Sequence, residues 1–472
     1  MSTQQLKTVA IIGAGPVGLA AAAHVLERGL RPVVLEAGPS VGHAVRQWGH
    51  VQIFSPWTYN IDKAAERLLS ATNWQAPDPD GYPTGAELVA HYLEPLVTRT
   101  ALSGRIETGA MVTGISRAGF DKVKSRGREA APFELRYRDG DGRAQSLTAD
   151  AVIDASGTWF LPNPAGANGL PAIGEPDMAG RVAYGMPDVL GRDRARYAGK
   201  TVAVLGAGHS AIGTLIDLAR LKDDMPATAI VWIIRGDSPE KSFGGGANDQ
   251  LSARGELGSA FARLVGDDRI QVETGFRVSH LSDAAGRLRI SAGSACCGRH
   301  IVADELIVAT GLRPDLSFLG ELRLSLDPGL ECPTVLAPLI DPNEHSCGTV
   351  RPHGARELRH PEPGFYIAGM KAYGRAPTFL MLTGYEQVRS ITAEIAGDKE
   401  AALRVDLVLP ETGVCSGPPQ AESETCCGGP ATVNAAACGL ADEQAKAEGA
   451  AGCGCATSEP IQALPAVEPC CG

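Results

Sequence analysis

The sequence predicts an α/β protein with two Rossmann-like dinucleotide-binding domains, the second inserted into the first, followed by a disordered Cys-rich C-terminal tail. Two observations predict the domains. A short apolar run, a glycine-rich turn and a helical segment follow one another at the N-terminus and again near residue 200. After each unit, a predicted hairpin leads into a strand that ends in glycine, at Gly157 and at Gly311. Strand, helix and strand in this order are typical of a parallel sheet covered by helices.

Composition and charge narrow the class of protein. The chain has 472 residues, of which 44% are hydrophobic and 21% charged, which is sufficient for two or three domains. The formal charge of -11 argues against nucleic acid or an anionic membrane as a partner. No apolar run approaches the roughly 20 residues of a membrane span. Because MSTQQLKTVAIIGAG enters a strand pattern without a basic leader, we expect a cytoplasmic location.

The first unit reads as the strand KTVAII, the turn and helix GAGPVGLAAAAHVLERG and the strand RPVVLEAG. Gly13 permits a tight turn, Gly15 lets the backbone approach a pyrophosphate, and Gly18 permits close packing of helix on strand. Glu36 ends the second strand, where an acidic side chain accepts a hydrogen bond from a ribose hydroxyl. A glycine-rich turn in an unrelated α/β domain is the alternative, which the register of strand, helix and Glu36 disfavours.

The second unit reads as KTVAVLGAGHSAIGTLIDLARL (200–221) followed by the strand ATAIVWIIRGD (227–237). Gly206 and Gly208 occupy the first two glycine positions of the turn, and alanine stands at the third. Arg235 follows the next strand in place of an acid. A guanidinium there can hold a 2′-phosphate, which favours NADP over NAD, and the alternative is a solvated surface arginine.

His209 and Ser210 stand at the start of the second helix. There they can contact the pyrophosphate of the bound nucleotide. Capping of the helix by Ser210 is the alternative for that residue.

Several ordered motifs together resemble the class B flavoprotein monooxygenases, which include flavin-containing and Baeyer–Villiger enzymes. The resemblance covers roughly residues 5–400. It rests on GAGPVG, WGHVQIFSPWTYN (48–60), DASGTWFLPNPAG (154–166), GAGHSA, VATGLRPD (308–315) and PGFYIAGM (363–370).

The resemblance implies FAD in the first site and NADPH in the second, with the two glycine-ended strands as links between the domains. The implied domains are an FAD-binding domain in two parts (1–195 and 305–402), an inserted NAD(P)H-binding domain (196–304) and the tail (403–472). The implied reaction is hydride transfer from NADPH to FAD, addition of O₂ to give a C4a-hydroperoxyflavin, and oxygenation of a small molecule bearing a soft nucleophile (S, N or trivalent arsenic).

The resemblance also implies roles for single residues. Asn60 would donate a hydrogen bond to the peroxyflavin, with a turn-forming asparagine as the alternative. Trp48 and Ser55, with Pro56 and Trp57, would line the isoalloxazine, with core packing as the alternative for the tryptophans.

Two positions depart from the family pattern. Asp188 stands near the place of the Baeyer–Villiger histidine, which disfavours ketone oxidation. Gly369 is followed by Met370 where many flavoproteins have aspartate, so contacts to phosphate or ribityl there would come from backbone or from Lys371.

Of the twelve cysteines, eight fall in the last sixty residues. Without an export signal they are expected to be reduced thiols. Adjacent cysteines pair with each other only under strain, because their Cα atoms are about 3.8 Å apart, and so they stay available to a thiophilic ion. The chain resembles flavin monooxygenases that are encoded with arsenic resistance determinants. Our hypothesis is therefore that the tail captures a metalloid. The alternative is that the tail is a variable appendage. The candidate ligands are Cys426, Cys427, Cys470 and Cys471.

Two other function classes compete with a monooxygenase. A flavin-dependent disulfide or metal-ion reductase needs a redox dithiol beside the flavin, and residues 13–60 contain no cysteine. A non-enzymatic, nucleotide-gated metalloid-binding protein is the third class. The substrate pocket would be formed by loops 241–256 and 327–361, in which FGGGANDQ is either a lid or a solvated loop.

Overall fold

A computed structural model of the chain describes residues 6–244, 252–293, 298–344, 350–376 and 379–407. Its strands are β1 (Thr8–Ile12), β2 (Arg31–Glu36), β3 (Ile106–Thr108), β4 (Met111–Arg117), β5 (Phe133–Arg138), β6 (Ala144–Ala149), β7 (Ala151–Asp154), β8 (Val182–Tyr184), β9 (Thr201–Leu205), β10 (Ala229–Ile233), β11 (Gln271–Glu273), β12 (Val278–Ala284), β13 (Arg287–Ala292), β14 (Arg299–Ala303), β15 (Glu305–Val308) and β16 (Phe365–Ile367).

The α-helices lie on and between these strands. They are α1 (Pro16–Glu27), α2 (His43–Gln47), α3 (Trp57–Asn60), α4 (Lys63–Ser70), α5 (Gly85–Leu88), α6 (Glu94–Arg99), α7 (Arg194–Tyr197), α8 (His209–Asp224), α9 (Ser252–Gly266), α10 (Ala337–Ile340), α11 (Met381–Ala396) and α12 (Lys399–Leu403).

The first sheet is parallel, with strand order β16-β7-β1-β2-β3. Strand β1 has four of its five residues buried, as a parallel strand covered on both faces requires. Helix α1 is alanine-rich along its buried length, which allows it to pack closely against α11 and α4. The first predicted strand–helix–strand unit is confirmed as β1, α1 and β2.

The second sheet is also parallel, with strand order β11-β10-β9-β15-β8. Alternate residues of β9 face opposite sides, as the two-residue repeat of a strand dictates. Val204 joins the core beneath α8 and α9, whereas Ala203 joins the core shared with the sheet of β12 to β14. The second predicted unit is therefore confirmed as β9, α8 and β10, and the predicted α/β fold with two Rossmann-like domains is confirmed with it.

The second sheet extends beyond the predicted bounds 196–304 of its domain. Strand β8 was expected in the first domain (1–195) and β15 in the third part of the chain (305–402), yet the two strands pair with each other in the second sheet. The physical reason is that the backbone N–H and C=O groups on the edge of β9 away from β10 require hydrogen-bond partners, and β15 supplies them as a parallel strand. The chain crosses between the domains near Gly157 and Gly311, where the glycine-ended segments lie.

Each parallel sheet carries a small antiparallel sheet, made of β4-β5-β6 in the first domain and β12-β13-β14 in the second. The hairpin predicted in FELRYRDGDGRAQSLTA is confirmed as β5 and β6. A buried carboxylate ties the first of these sheets to the C-terminal half of the domain: Glu362 contacts Arg117 at 2.8 Å and Arg128 at 2.6 Å.

Several predictions fall outside the described residues. These are the thiols of the tail, Cys296 and Cys297, and most of the FGGGANDQ lid. The predicted tail (403–472) is described only to Leu407, where Asp406 N–H donates to Glu386 at 3.2 Å. Within the described ranges, no helix is long and apolar enough to cross a membrane.

Candidate functional site

The turn after β1 can be built only with glycine at two of its positions. Gly13 has φ +96°, and a Cβ there would lie 2.7 Å from the carbonyl oxygen of Ala155. A Cβ on Gly18 would lie 2.0 Å from the carbonyl oxygen of Gly13. Both distances are below van der Waals contact, so the turn and the helix that follows it approach each other as the sequence predicted.

Gly15 has a different role, because it faces open space. It is the N-cap of α1 with φ -81°, and a Cβ placed on it would meet nothing within 4 Å. No side chain caps the helix, and its first turn contains no acidic residue. Free N–H groups at a positively polarised helix end that opens onto space can bind a pyrophosphate.

Glu36 lies beside this turn at the carboxyl end of β2 and is 8% exposed. One of its carboxylate oxygens accepts the N–H of Ala14 at 2.7 Å, and the other accepts the N–H of Gly38 at 2.8 Å. The two backbone bonds fix the orientation of the carboxylate, and each oxygen retains a second lone pair for a ribose hydroxyl. The position fits the role predicted for Glu36.

The turn after β9 repeats this construction. Gly206 has φ +141°, and a Cβ there would lie 2.3 Å from the carbonyl oxygen of Ala309. The indole N–H of Trp232 donates to the Gly206 carbonyl at 2.7 Å. Gly208 is the N-cap of α8, and a Cβ on it would meet nothing within 4 Å, so this helix end also opens onto space. Ala211 at the third position is fully buried.

Ser210 does not cap α8. The N-cap is Gly208, no side-chain cap bond is formed, and the backbone carbonyl of Ser210 accepts a hydrogen bond from Thr214 at 2.8 Å. The capping alternative is therefore wrong, and contact of His209 and Ser210 with a pyrophosphate stays a prediction.

Arg235 is exposed just beyond the carboxyl end of β10. Its guanidinium makes a long contact of 3.5 Å with the carbonyl oxygen of Ala167. An exposed guanidinium at this strand end suits a 2′-phosphate, since that long contact holds the side chain only weakly.

Aromatic contacts bring the two turns towards each other. Phe54 of the first domain packs on His209 of α8, with ring centroids 5.5 Å apart. Trp48 contacts Trp159 at 6.5 Å, and His43 stacks on Phe160 at 5.7 Å. Residues 43–54 therefore lie against both the second turn and the first interdomain link.

The two links run side by side. Asn163 N–H donates to the carbonyl of Gly311 at 2.9 Å, and its side chain donates to Thr310 at 2.9 Å. Gly157 and Gly311 have φ +73° and +93°, conformations that only glycine adopts without strain. Phe54 and Trp159 lie within WGHVQIFSPWTYN and DASGTWFLPNPAG but were not predicted as contact residues. For Trp159, its place two residues after Gly157 was the available signal.

The loop at Ser55 and Asn60 is held by its own hydrogen bonds. The Asn60 side chain is fully buried, and its amide donates to the carbonyls of Ser55 at 2.7 Å and Pro56 at 3.0 Å. Its side-chain oxygen accepts the hydroxyl of Ser55 at 2.9 Å. Donation by Asn60 to a flavin-bound group stays a prediction, and it requires Asn60 to give up one of these bonds. Trp57 packs in the core, whereas Trp48 is half-buried.

Lys371 does not reach towards a phosphate. Its ammonium is fully buried 2.6 Å from the carboxylate of Asp154 and 3.1 Å from the hydroxyl of Ser156. The ligand contact expected of Lys371 is therefore wrong, because a buried ion pair consumes the side chain. The N–H of Gly369 is also engaged, donating to the side-chain oxygen of Gln387 at 2.7 Å.

A cavity of about 320 Å³ lies between the links and the carboxyl end of β8. Gln47, Trp159 and Leu312 line it from the side of the first domain and the links, and Tyr184, Arg192 and Tyr197 line it from the second domain. The buried hydroxyl of Tyr197 has no hydrogen-bond partner. An unpaired buried hydroxyl is costly, so a ligand or water that accepts from it is expected.

The described ranges contain a single cysteine, Cys332, and it is buried. Burial raises the pKa of its thiol to about 12, so the thiolate that redox or metal chemistry needs is disfavoured. No cluster of His, Cys, Asp or Glu in the described part of the chain could hold a metal ion.

Comparison with known proteins gives the family of the chain. The model of the family described as "Pyridine nucleotide-disulphide oxidoreductase" matches residues 10–335. Flavin-containing monooxygenase 1 of Rattus norvegicus is 27% identical over 242 residues, which are 48% of this chain and 41% of that protein. The chain spans about two fifths of the length of the curated relatives it matches. The predicted resemblance to flavoprotein monooxygenases is confirmed.

Solved structures show the same fold at lower identity. Bacillithiol disulfide reductase Bdr from Bacillus cereus is 21% identical with a TM-score of 0.60, covering 83% of this chain and 99% of that one. The cadaverine monooxygenase DfoA from Erwinia amylovora, solved with FAD bound, is 15% identical with a TM-score of 0.59, covering 89% of this chain and 100% of that one.

The family model covers both glycine turns, both links and the aromatic contacts between them. The predicted flavin-dependent NAD(P)H oxidoreductase is confirmed at the level of the family. The chain belongs to the pyridine nucleotide-disulphide oxidoreductase family.

Proposed function

We propose that the chain is an FAD-dependent, NADPH-consuming monooxygenase that transfers one atom of O₂ to a small molecule bearing a soft nucleophile. The balanced reaction consumes NADPH, one proton, O₂ and the substrate, and yields NADP⁺, water and the oxygenated substrate. The observation that carries the proposal is the contact between Phe54 and His209, which joins the FAD-side loop to the start of the NADPH-side helix.

The residues present fit both cofactors. The first turn offers a helix N-terminus at Gly15 without a side-chain cap and an oriented carboxylate at Glu36, as the pyrophosphate and ribose of FAD require. The second turn offers the open helix end at Gly208 and the exposed Arg235, as NADPH requires. When bound, FAD supplies the chemistry between NADPH and O₂. The protein positions the two nucleotides and excludes water around them.

The absence of a suitable dithiol near the first turn favours an oxygenase over a reductase. A disulfide reductase needs a pair of reactive thiols beside the flavin. No cysteine occurs in residues 13–60, and Cys332, the cysteine in the described ranges, is buried and holds its proton tightly. The structural likeness to a disulfide reductase concerns the fold, which supports many functions.

We further propose that the oxygen acceptor is held in the cavity between the links and β8. The cavity adjoins Trp159, which contacts Trp48 of the proposed flavin-side loop. Its polar lining of Gln47, Arg192 and Tyr197 suits a small hydrophilic molecule. Trivalent arsenic is the acceptor that would best account for the presence of both this site and a thiol-rich tail, since soft metalloids favour thiolate ligands.

The experiment that tests the function is NADPH-dependent O₂ consumption by the FAD-loaded, full-length protein. Arsenite, methylarsenite, a sulfide and an amine are supplied in turn, and oxygenated product and H₂O₂ are measured separately. A monooxygenase forms product in proportion to NADPH consumed with one of these acceptors. NADPH oxidation that depends on an added disulfide and proceeds without O₂ would contradict the proposal and establish a reductase.

The role of the tail needs a second comparison. The full chain and a truncation after residue 410 are assayed at the same FAD content. A capture role predicts that truncation raises KM for the thiophilic substrate and leaves kcat unchanged. Equal KM values would contradict capture while leaving the monooxygenase proposal intact.

A further inference from the structure

Two hydrogen bonds through Gln387 connect His353 with the turn at Gly369, and a third joins His353 to Arg351. The Nδ1 of His353 lies 3.0 Å from the carbonyl oxygen of Arg351, and its Nε2 lies 2.8 Å from the amide nitrogen of Gln387. The side-chain oxygen of Gln387 accepts the N–H of Gly369 at 2.7 Å. His353 is 3% exposed and Gln387 is fully buried, so water does not replace these bonds readily.

We call the bonds that run from Arg351 through His353 and Gln387 to Gly369 the relay. The direction of every bond in it follows from the first one, between His353 and the carbonyl of Arg351. A backbone carbonyl only accepts, so the proton of neutral His353 must be on Nδ1. Its Nε2 is then an acceptor, and the amide of Gln387 must donate to it. Because the amide nitrogen faces His353, the amide oxygen faces Gly369. The tautomer of His353 therefore sets the orientation of Gln387.

The relay ends at the ligand-binding edge of the first sheet. Gly369 follows β16 at the carboxyl end of the strand, the edge where open α/β sheets bind ligands. It has φ +72°, and a Cβ on it would lie 3.4 Å from the side chain of Val17 in α1. Gly384 in α11 faces the same valine, since a Cβ there would lie 2.6 Å from it. The turn that the relay holds thus packs against α1, whose N-cap is Gly15.

We propose that His353 is a positioning residue for the FAD site, which it controls by orienting Gln387 and thereby holding the Gly369 turn against α1. This inference rests on the proposed binding of FAD at the first turn. None of the three residues needs to touch the reacting atoms.

The relay works only while His353 is neutral. Protonation would place a hydrogen on Nε2, which then faces the amide hydrogens of Gln387. Rotation of the amide would relieve that conflict but would turn its hydrogens towards the N–H of Gly369, leaving a buried donor without an acceptor. Acid is therefore expected to loosen the turn and weaken FAD binding.

The groups around His353 act in opposite directions on its pKa. Burial lowers the pKa and is the largest influence, whereas the Arg351 carbonyl and the carboxylates of Glu357 and Glu386 raise it. Glu386 is itself paired with Arg389 at 2.7 Å. The uncharged ring of Tyr373 lies 5.6 Å from the His353 ring. The pKa of His353 is lowered overall, so the neutral relay prevails at neutral pH.

The test measures FAD affinity of the full-length protein between about pH 5 and 8, the range in which histidine switches matter. His353→Leu removes the acceptor for Gln387 and should weaken FAD binding about tenfold, as loss of one buried hydrogen-bond partner implies. His353→Gln supplies an uncharged acceptor. It should bind FAD like the wild type at neutral pH and should lack the weakening in acid.

His360→Gln is the matched control, because His360 is buried but outside the relay; it should keep the wild-type acid response of FAD affinity. The absorption spectrum of the bound flavin is recorded with each affinity. Wild-type affinity in His353→Leu, or the same pH profile in the wild type and His353→Gln, would overturn the inference. Failure of the wild type to bind FAD at any pH would overturn the proposed function itself.

Discussion

The side-chain ammonium of Lys371 lies 2.6 Å from a carboxylate oxygen of Asp154, and neither side chain is exposed to solvent. Asp154 ends β7 and Lys371 follows β16, so the pair joins the ends of two adjacent strands. The Lys371 ammonium also lies 4.3 Å from the centre of the Phe318 ring. The pair therefore stabilises the edge of the first sheet at which the glycine turn lies.

Lys371→Met should lower the free energy of unfolding by roughly 3–5 kcal/mol, because it leaves Asp154 buried without its partner. Urea denaturation followed by circular dichroism measures the loss. Lys63→Met is the control: Lys63 is exposed and its pair with Glu66 lies on the surface, so its loss should cost less than about 1 kcal/mol. Equal costs for the two variants would show that the buried pair is not stabilising the strand ends.

Gly15→Ala and Gly18→Ala should separate ligand binding from folding. A methyl at Gly15 meets no protein atom, so stability should change by less than about 1 kcal/mol, while FAD affinity falls because the methyl occupies the pyrophosphate approach. A methyl at Gly18 lies 2.0 Å from a carbonyl oxygen, so stability itself should fall. Melting temperature and FAD titration on the same samples distinguish the effects. Unchanged FAD affinity in Gly15→Ala would place the pyrophosphate elsewhere.

Arg235→Ala should raise KM for NADPH by roughly tenfold or more and leave KM for NADH unchanged, because a charge-assisted contact to the 2′-phosphate is lost. Steady-state kinetics with both nucleotides measure the ratio. Arg220→Ala is the control, since Arg220 is an exposed arginine of the same domain that pairs with Asp217. Similar changes for NADPH and NADH would remove Arg235 from 2′-phosphate recognition.

Tyr197→Phe should raise KM for the oxygen acceptor without changing KM for NADPH, because it removes an unpaired hydroxyl from a residue that lines the cavity. Folding stability should not fall, since no protein partner is lost. Tyr366→Phe, at a buried tyrosine of β16 away from the cavity lining, is the control. An effect on NADPH instead of the acceptor would assign the cavity to the nicotinamide half of NADPH.

The free energy of unfolding should fall in acid because His360 is buried as the neutral imidazole. Burial lowers its pKa from 6.5 to about 4, so the unfolded chain binds the proton before the folded protein does. Its contribution is complete above pH 6.5 and is lost as pH falls towards 4, by up to roughly 3 kcal/mol. Urea denaturation across this window should show a flatter dependence in His360→Gln than in the wild type. Parallel curves would contradict the assignment to His360.

Much of the site was predictable because its requirements are local. Gly13, Gly18 and Gly206 stand where a side chain would collide with nearby backbone, and a turn between strand and helix imposes that need wherever it occurs. Glu36 and Arg235 follow their strands directly. The pairing of β1 with β2 and of β9 with β10 follows from the same repeated unit.

Only the tertiary structure decided which buried polar groups meet. Lys371 pairs with Asp154 across 217 positions of the chain, and Gly369 finds its acceptor in Gln387 of a later helix. Asn60 was expected to face a ligand, yet its amide is bonded within its own loop. β8 joined the second sheet because β15 had an open edge there. Short stretches of sequence determine the local backbone geometry. The hydrogen-bond partner of a buried polar side chain depends instead on which group the tertiary fold brings within hydrogen-bond distance.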